Sequence, residues 1–164
     1  DMKRTIAFMM ALALCVGTTA TAFAEDTATE FSFTLRNDPT YTVTIPAQVT
    51  IEKDGTDVEV VAEDVENLAE NEKISVTIAG TDYFRNQMVL TDKDTRAVMR
   101  YQIVTPDGRT LETTGTDTMT GQEIVSFTAD GTETYTVKPV VAPSTKPGNY
   151  TGTLTYGISV VEAE

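Results

Sequence analysis

From residue 31 onward, apolar and polar side chains alternate in short runs separated by turn residues. Phe31-Ser32-Phe33-Thr34-Leu35 alternates, Asn37-Asp38-Pro39 turns, and Tyr41-Thr42-Val43-Thr44-Ile45 alternates again. A period of two places one face of a strand in a core and the other in water. The two runs around a turn cluster therefore predict a hairpin or a pair that switches sheets, and Pro46 ends the second because proline donates nothing to a ladder. Strands are predicted over Val49–Lys53 and Val58–Ala62 about an Asp54-Gly55 turn, then over Lys73–Ala79, Gln87–Leu90 and Arg96–Val104. Asp64–Glu72 predicts a loop with one helical turn, since so short an acidic stretch holds no stable helix. Gly80–Asn86 is expected to be a loop carrying Tyr83 and Phe84, and Thr113–Gly121 an exposed loop. Gln122–Thr128 and Thr132–Val141 are expected to be strands joined by an Asp130-Gly131 hairpin turn.

The last run is the longest. After Pro147-Gly148-Asn149, the residues Tyr150, Leu154, Tyr156, Ile158 and Val160 fall on one face, and Thr151, Thr153, Thr155 and Ser159 on the other. One strand over residues 150–161 follows, with Gly152 on the apolar face where a large neighbour can pack close. About nine or ten short strands at this spacing, with turn signals between them, predict an all-β, immunoglobulin-like antiparallel sandwich. The abundance of threonine agrees, because β-branched side chains suit a half-wet pleated surface.

Before these strands lies a different pattern. Lys3 and Arg4 precede an apolar stretch, Ile6–Val16, and Ala22-Phe23-Ala24 precedes Glu25. This is the pattern of a secretory leader over residues 1–24, too short in its apolar part to span a bilayer, followed by one domain over 25–164. Cys15, the only cysteine, falls in the leader, so the exported domain is expected to contain no disulfide. A lipid-anchor reading of Cys15 is disfavoured because Leu14 stands where a small residue is required. Export without cysteines fits a bacterial cell surface, Gram-positive rather than disulfide-forming.

Charge narrows the function. The chain has 12 basic and 25 acidic residues and a net charge of −13. Phosphate backbones and anionic lipid are repelled by such a surface, so no nucleic-acid partner is expected. With no histidine, and with the cysteine in the leader, the common nucleophile–base pairs are missing, so the chain is read as no enzyme and as needing no cofactor. A carboxylate-pair glycosidase is the remaining enzymatic reading. Asp92-Lys93-Asp94 has alternating acids and Glu63, Asp64 and Glu66 make a local cluster, but neither has the glycine and distal glutamate of an EF-hand. Tyr83 and Phe84 offer a stacking platform for a sugar, or else fold back as plugs. Lys138 and Asn149 are the only pair placed for an isopeptide cross-link.

The closing residues Tyr150, Gly152, Thr153, Leu154 and Thr155 resemble the C-terminal motif of the WxL-type surface domains of Gram-positive bacteria, Tyr-x-Gly-Thr-Leu-Thr-Trp-x-Leu. Tyr156 and Ile158 stand where that motif has its tryptophan and leucine. The resemblance implies non-covalent association with the cell wall, with Tyr150, Tyr156 and Ile158 as the wall or partner contacts. The expected function is thus a secreted, non-enzymatic structural or adhesion protein held by a wall polymer or by other surface proteins. A carbohydrate-binding module, or a pilus-like subunit that lends Glu25–Leu35 to a neighbour's sheet edge, is the alternative.

Overall fold

The computed structural model describes residues 28–164. The expected leader, with Cys15 and Ala22-Phe23-Ala24, lies outside them. The unit formed by Leu35–Glu164 is all-β, two antiparallel sheets packed face to face. Its strands are β1 (Thr40–Thr44), β2 (Thr56–Glu66), β3 (Glu72–Thr81), β4 (Val89–Asp92), β5 (Val98–Val104), β6 (Thr110–Leu111), β7 (Glu123–Phe127), β8 (Gly131–Pro139), β9 (Tyr150–Thr151) and β10 (Leu154–Glu162). The larger sheet runs β1-β2-β8-β5-β4-β9, with β6 also on β5; the smaller runs β10-β3-β7.

Alternation fixes the core. Val58, Val60 and Ala62 of β2, Tyr135 and Val137 of β8, and Tyr101 and Ile103 of β5 face Ile74, Val76 and Ile78 of β3 and Val125 and Phe127 of β7. Burying each such aliphatic side chain contributes roughly 1.5–3 kcal/mol. On the outer face of the small sheet, the Glu123 carboxylate accepts from the buried Ser75 hydroxyl at 2.5 Å and from Lys73 Nζ at 3.2 Å, tying β7 to β3.

Five expectations are corrected. Phe31–Leu35 forms no strand, and its three apolar side chains are 90%, 78% and 82% exposed. Val49–Lys53 is also not a strand. The Asp54-Gly55 turn still forms, with the Gly55 amide donating to Glu52 O, but its flank is tied by the Thr56 hydroxyl instead of a ladder. Residues 64–66 continue β2 in place of a helical turn; the acids face water, and Asp64 adopts φ 53° where the β1–β2 register shifts. Asp130-Gly131 reverses the chain, yet β7 and β8 lie in different sheets, so the turn is a crossing and no hairpin.

The closing run is two strands. β9 pairs with β4 in the large sheet, and the chain then crosses at Gly152-Thr153 to pair β10 with β3 in the small one. Gly152 permits the crossing: a Cβ there would lie 3.0 Å from Leu90 Cδ2 and 3.2 Å from Val89 O. The Asp82 carboxylate fixes it by accepting from the Thr153 amide at 2.9 Å. β10 therefore lies at an edge of the small sheet.

Candidate functional site

Tyr150, Tyr156 and Ile158 are separated by the crossing at Gly152-Thr153. Tyr156 turns inward, where its hydroxyl hydrogen-bonds that of Tyr135 on β8. Burial pushes both phenols, and that of Tyr101, above the ordinary tyrosine range. The Tyr156 hydroxyl thus faces that of Tyr135 across the two sheets, on a side chain that is only half-buried. Ile158 also shares the core face, opposite the fully buried Val76, yet stays 36% exposed because β10 is an edge.

Tyr150 is placed by a compact polar hub. Asp92, the last residue of β4, is buried and accepts from the amides of Asp94 at 2.8 Å, Thr95 at 3.2 Å and Asn149 at 3.2 Å. These backbone donors, Asp94 and Thr95 first, hold its carboxyl below the usual range. The same contacts pin the β4–β5 turn to the segment leading into β9. Gly148 is required there, because a Cβ would meet Asp92 Oδ2 at 2.0 Å. The Tyr150 hydroxyl donates to Lys146 O at 2.7 Å, which holds the preceding loop against the ring.

Between these two pinned segments lies an open groove of about 560 Å³, lined by Thr95–Arg100, Val140, Ala142, Ser144–Lys146 and Tyr150. Its lining holds three cations, Arg96, Arg100 and Lys146, and no acid. Arg100 shares its charge with Glu112 at 3.4 Å; Arg96 and Lys146 have no salt bridge among the described residues. A cleft walled by one sign of charge focuses the field and gathers counter-charge. The β4–β5 turn and the 140–148 loop bring together cations about fifty positions apart, which no local motif announces. The placement of Tyr150 is the part of this site that the sequence signalled.

Phe84 is 70% exposed beside a half-buried Tyr83, on the short 3-10 turn Phe84–Asn86. The Arg85 guanidinium stands 5.0 Å from the centre of the Phe84 ring and occupies one of its faces. Two of the three acids lining a second, smaller cleft are engaged as well: Asp107 pairs with Arg109 at 2.9 Å, and Glu123 serves Lys73 and Ser75, which leaves Glu133. Glu63, Asp64 and Glu66 lie along β2, and among the described residues no three acids converge as a metal-ion site. Lys138, on β8, lays its side chain over Gly55, while the amide of Asn149 is held by Asp92. No helix among the described residues is long and apolar enough to cross a membrane.

Compared with family models, with curated proteins and with solved structures, the chain matches none.

Proposed function

We propose that the chain is a secreted, non-enzymatic surface protein that associates non-covalently with an anionic polymer of the bacterial cell wall. One observation carries the reading: in a chain of net charge −13, the groove beside Tyr150 presents Arg96, Arg100 and Lys146 with no acid in its lining. A strongly acidic protein that keeps one acid-free cationic cleft has a place for anionic ligands and repels them elsewhere. The exposed Val98 and the half-buried Tyr150 line the same cleft, suiting a polymer with alternating charged and carbon-rich units. The leader-like first 24 residues and the WxL-like closing motif point to the same place.

The test is expression of the full chain in a Gram-positive host, followed by fractionation into medium, wall and membrane. Recovery in the wall fraction, with release by high salt, is the expected result. Recovery in the medium alone, with the Arg96→Glu/Lys146→Glu variant partitioning identically, would overturn it.

A further inference from the structure

We infer that β10 is an acceptor edge, and that its occupant is the Phe31–Leu35 segment of a second copy of this chain. The inference takes the surface-protein reading as its setting but rests on different residues from the groove.

Three observations converge. Phe31, Leu35 and Phe33 are the most exposed large apolar side chains among the described residues, and they alternate with Ser32 and Thr34. A segment of period two with one wholly apolar face is built to lie on a sheet edge over a core. The acceptor has the matching defect. β10 is nine residues long, pairs only with β3 among the described residues, and is uncharged from Leu154 to Val161. Natural edges are guarded by shortness, charge, proline or bulges. β10 has one bulge, at Thr155–Tyr156, and past it six regular residues run unguarded until Glu162. The other edges are poorer acceptors: β9 has two residues, while β1 and β7, with five each, have irregular registers.

The third observation is in the core. Tyr156, Ile158 and Val160 pair with Ile78, Val76 and Ile74, all of which are 1% exposed or less, yet none of the three β10 residues is buried. An added strand with Phe31, Phe33 and Leu35 turned inward covers that row, and leaves Ser32 and Thr34 beside Ser159 in water.

The sizes fit. Burial of two phenylalanines and a leucine removes roughly 500 Å² from the donor. A similar area on the acceptor makes about 1,000 Å² per joint, the lower limit for a specific interface, and reciprocal lending by two copies makes about 2,000 Å². Charge permits it too, because donor and edge are both uncharged in a chain whose surfaces otherwise repel one another. Phe31–Leu35 forms no strand pairing among the described residues, and the next residue, Arg36, is anchored at 2.8 Å to Glu72, opposite Glu162 at the end of β10.

The experiment uses the full chain in a Cys15→Ser background. One preparation carries Thr34→Cys and a size tag, and the other carries Ser159→Cys. Both positions are exposed, so neither change disturbs packing. Mixing the two with a short bis-maleimide should give a tagged–untagged cross-link, and wild-type chain should scatter light as an oligomer. Phe31→Asp/Phe33→Asp should abolish both while leaving thermal unfolding of the monomer unchanged. A monomeric wild type without the cross-link, or a link formed only within one chain carrying both cysteines, would overturn the inference. Such a monomer still recovered with the wall would leave the proposed function standing, and an oligomer absent from the wall would do the reverse.

Discussion

Removing the Tyr156 hydroxyl isolates the one at Tyr135. Tyr135 is 1% exposed, and its hydroxyl has no other hydrogen-bond partner among the described residues. In Tyr156→Phe that hydroxyl stays in the core unpaired, at a cost of about 1–3 kcal/mol. In Tyr135→Phe the surviving hydroxyl belongs to half-buried Tyr156 at an open edge and turns to water, so the loss is about 0.5–1.5 kcal/mol. The double variant leaves no orphan and nearly conserves volume, so it should be no worse than the poorer single variant. The cycle then yields a favourable coupling of about 1–2 kcal/mol between the two positions. For a sandwich of this size, each kcal/mol lowers Tm by about 3–5 °C. The chain has no tryptophan, so far-UV circular dichroism with urea is the assay. A double variant that loses the full sum of the single losses would refute the reasoning, because it would mean the two hydroxyls do not serve each other.

Other consequences follow from the polar hub and the charge inventory. Gly148→Ala forces a Cβ onto Asp92 Oδ2, which accepts from the Asn149 amide while those of Asp94 and Thr95 hold Oδ1, and should cost about 1–3 kcal/mol by thermal unfolding. With no histidine in the chain, stability should be flat between about pH 5 and 9. Below that, Asp92, Glu72 and Asp107 all have folded pKa values lowered, by the Asp94 and Thr95 amides, by Arg36, and by the Thr105 hydroxyl with Arg109 respectively. Their contribution is full above the ordinary carboxylate range and lost as pH falls through the lowered values, so acid unfolding should begin below about pH 4. The buried phenols act in the opposite sense: their stabilisation is full below the ordinary tyrosine pKa and is lost above about pH 10. Denaturant midpoints across pH check both limbs, and a midpoint drifting between pH 6 and 8 would contradict them. Phe84→Ala should leave wall retention unchanged, whereas Arg96→Glu/Lys146→Glu should abolish it in a pelleting assay.

Much of the fold was legible because a period of two needs no knowledge of partners. Lys73–Ala79, Gln122–Thr128 and Thr132–Val141 announce β3, β7 and β8 within a few residues, and Ile74, Val76 and Ile78 were readable as core. Alternation says which face is apolar but not what lies beside the strand. Phe31–Leu35 alternates as cleanly as Tyr41–Ile45, yet it joins no strand pairing among the described residues. Turn chemistry has the same blind spot: Asp130-Gly131 dictates a reversal, and whether β7 and β8 then pair depends on the sheet each has already joined. Asp64 and Glu66 were read into the Asp64–Glu72 loop because the acids were counted without their facing; both face water at the end of β2, and the loop begins only at Asn67. Of the site, Tyr150 was signalled by a local motif, while Arg96 and Lys146 meet only through the hub that Asp92 builds between distant turns.

The most direct measurement is pelleting of the secreted chain with purified Gram-positive walls, before and after chemical stripping of their anionic polymer, at low and high salt. The account predicts retention on intact walls at low salt, release as salt screens the groove, and no retention on stripped walls. Equal retention on stripped and intact walls, insensitive to salt, would contradict it.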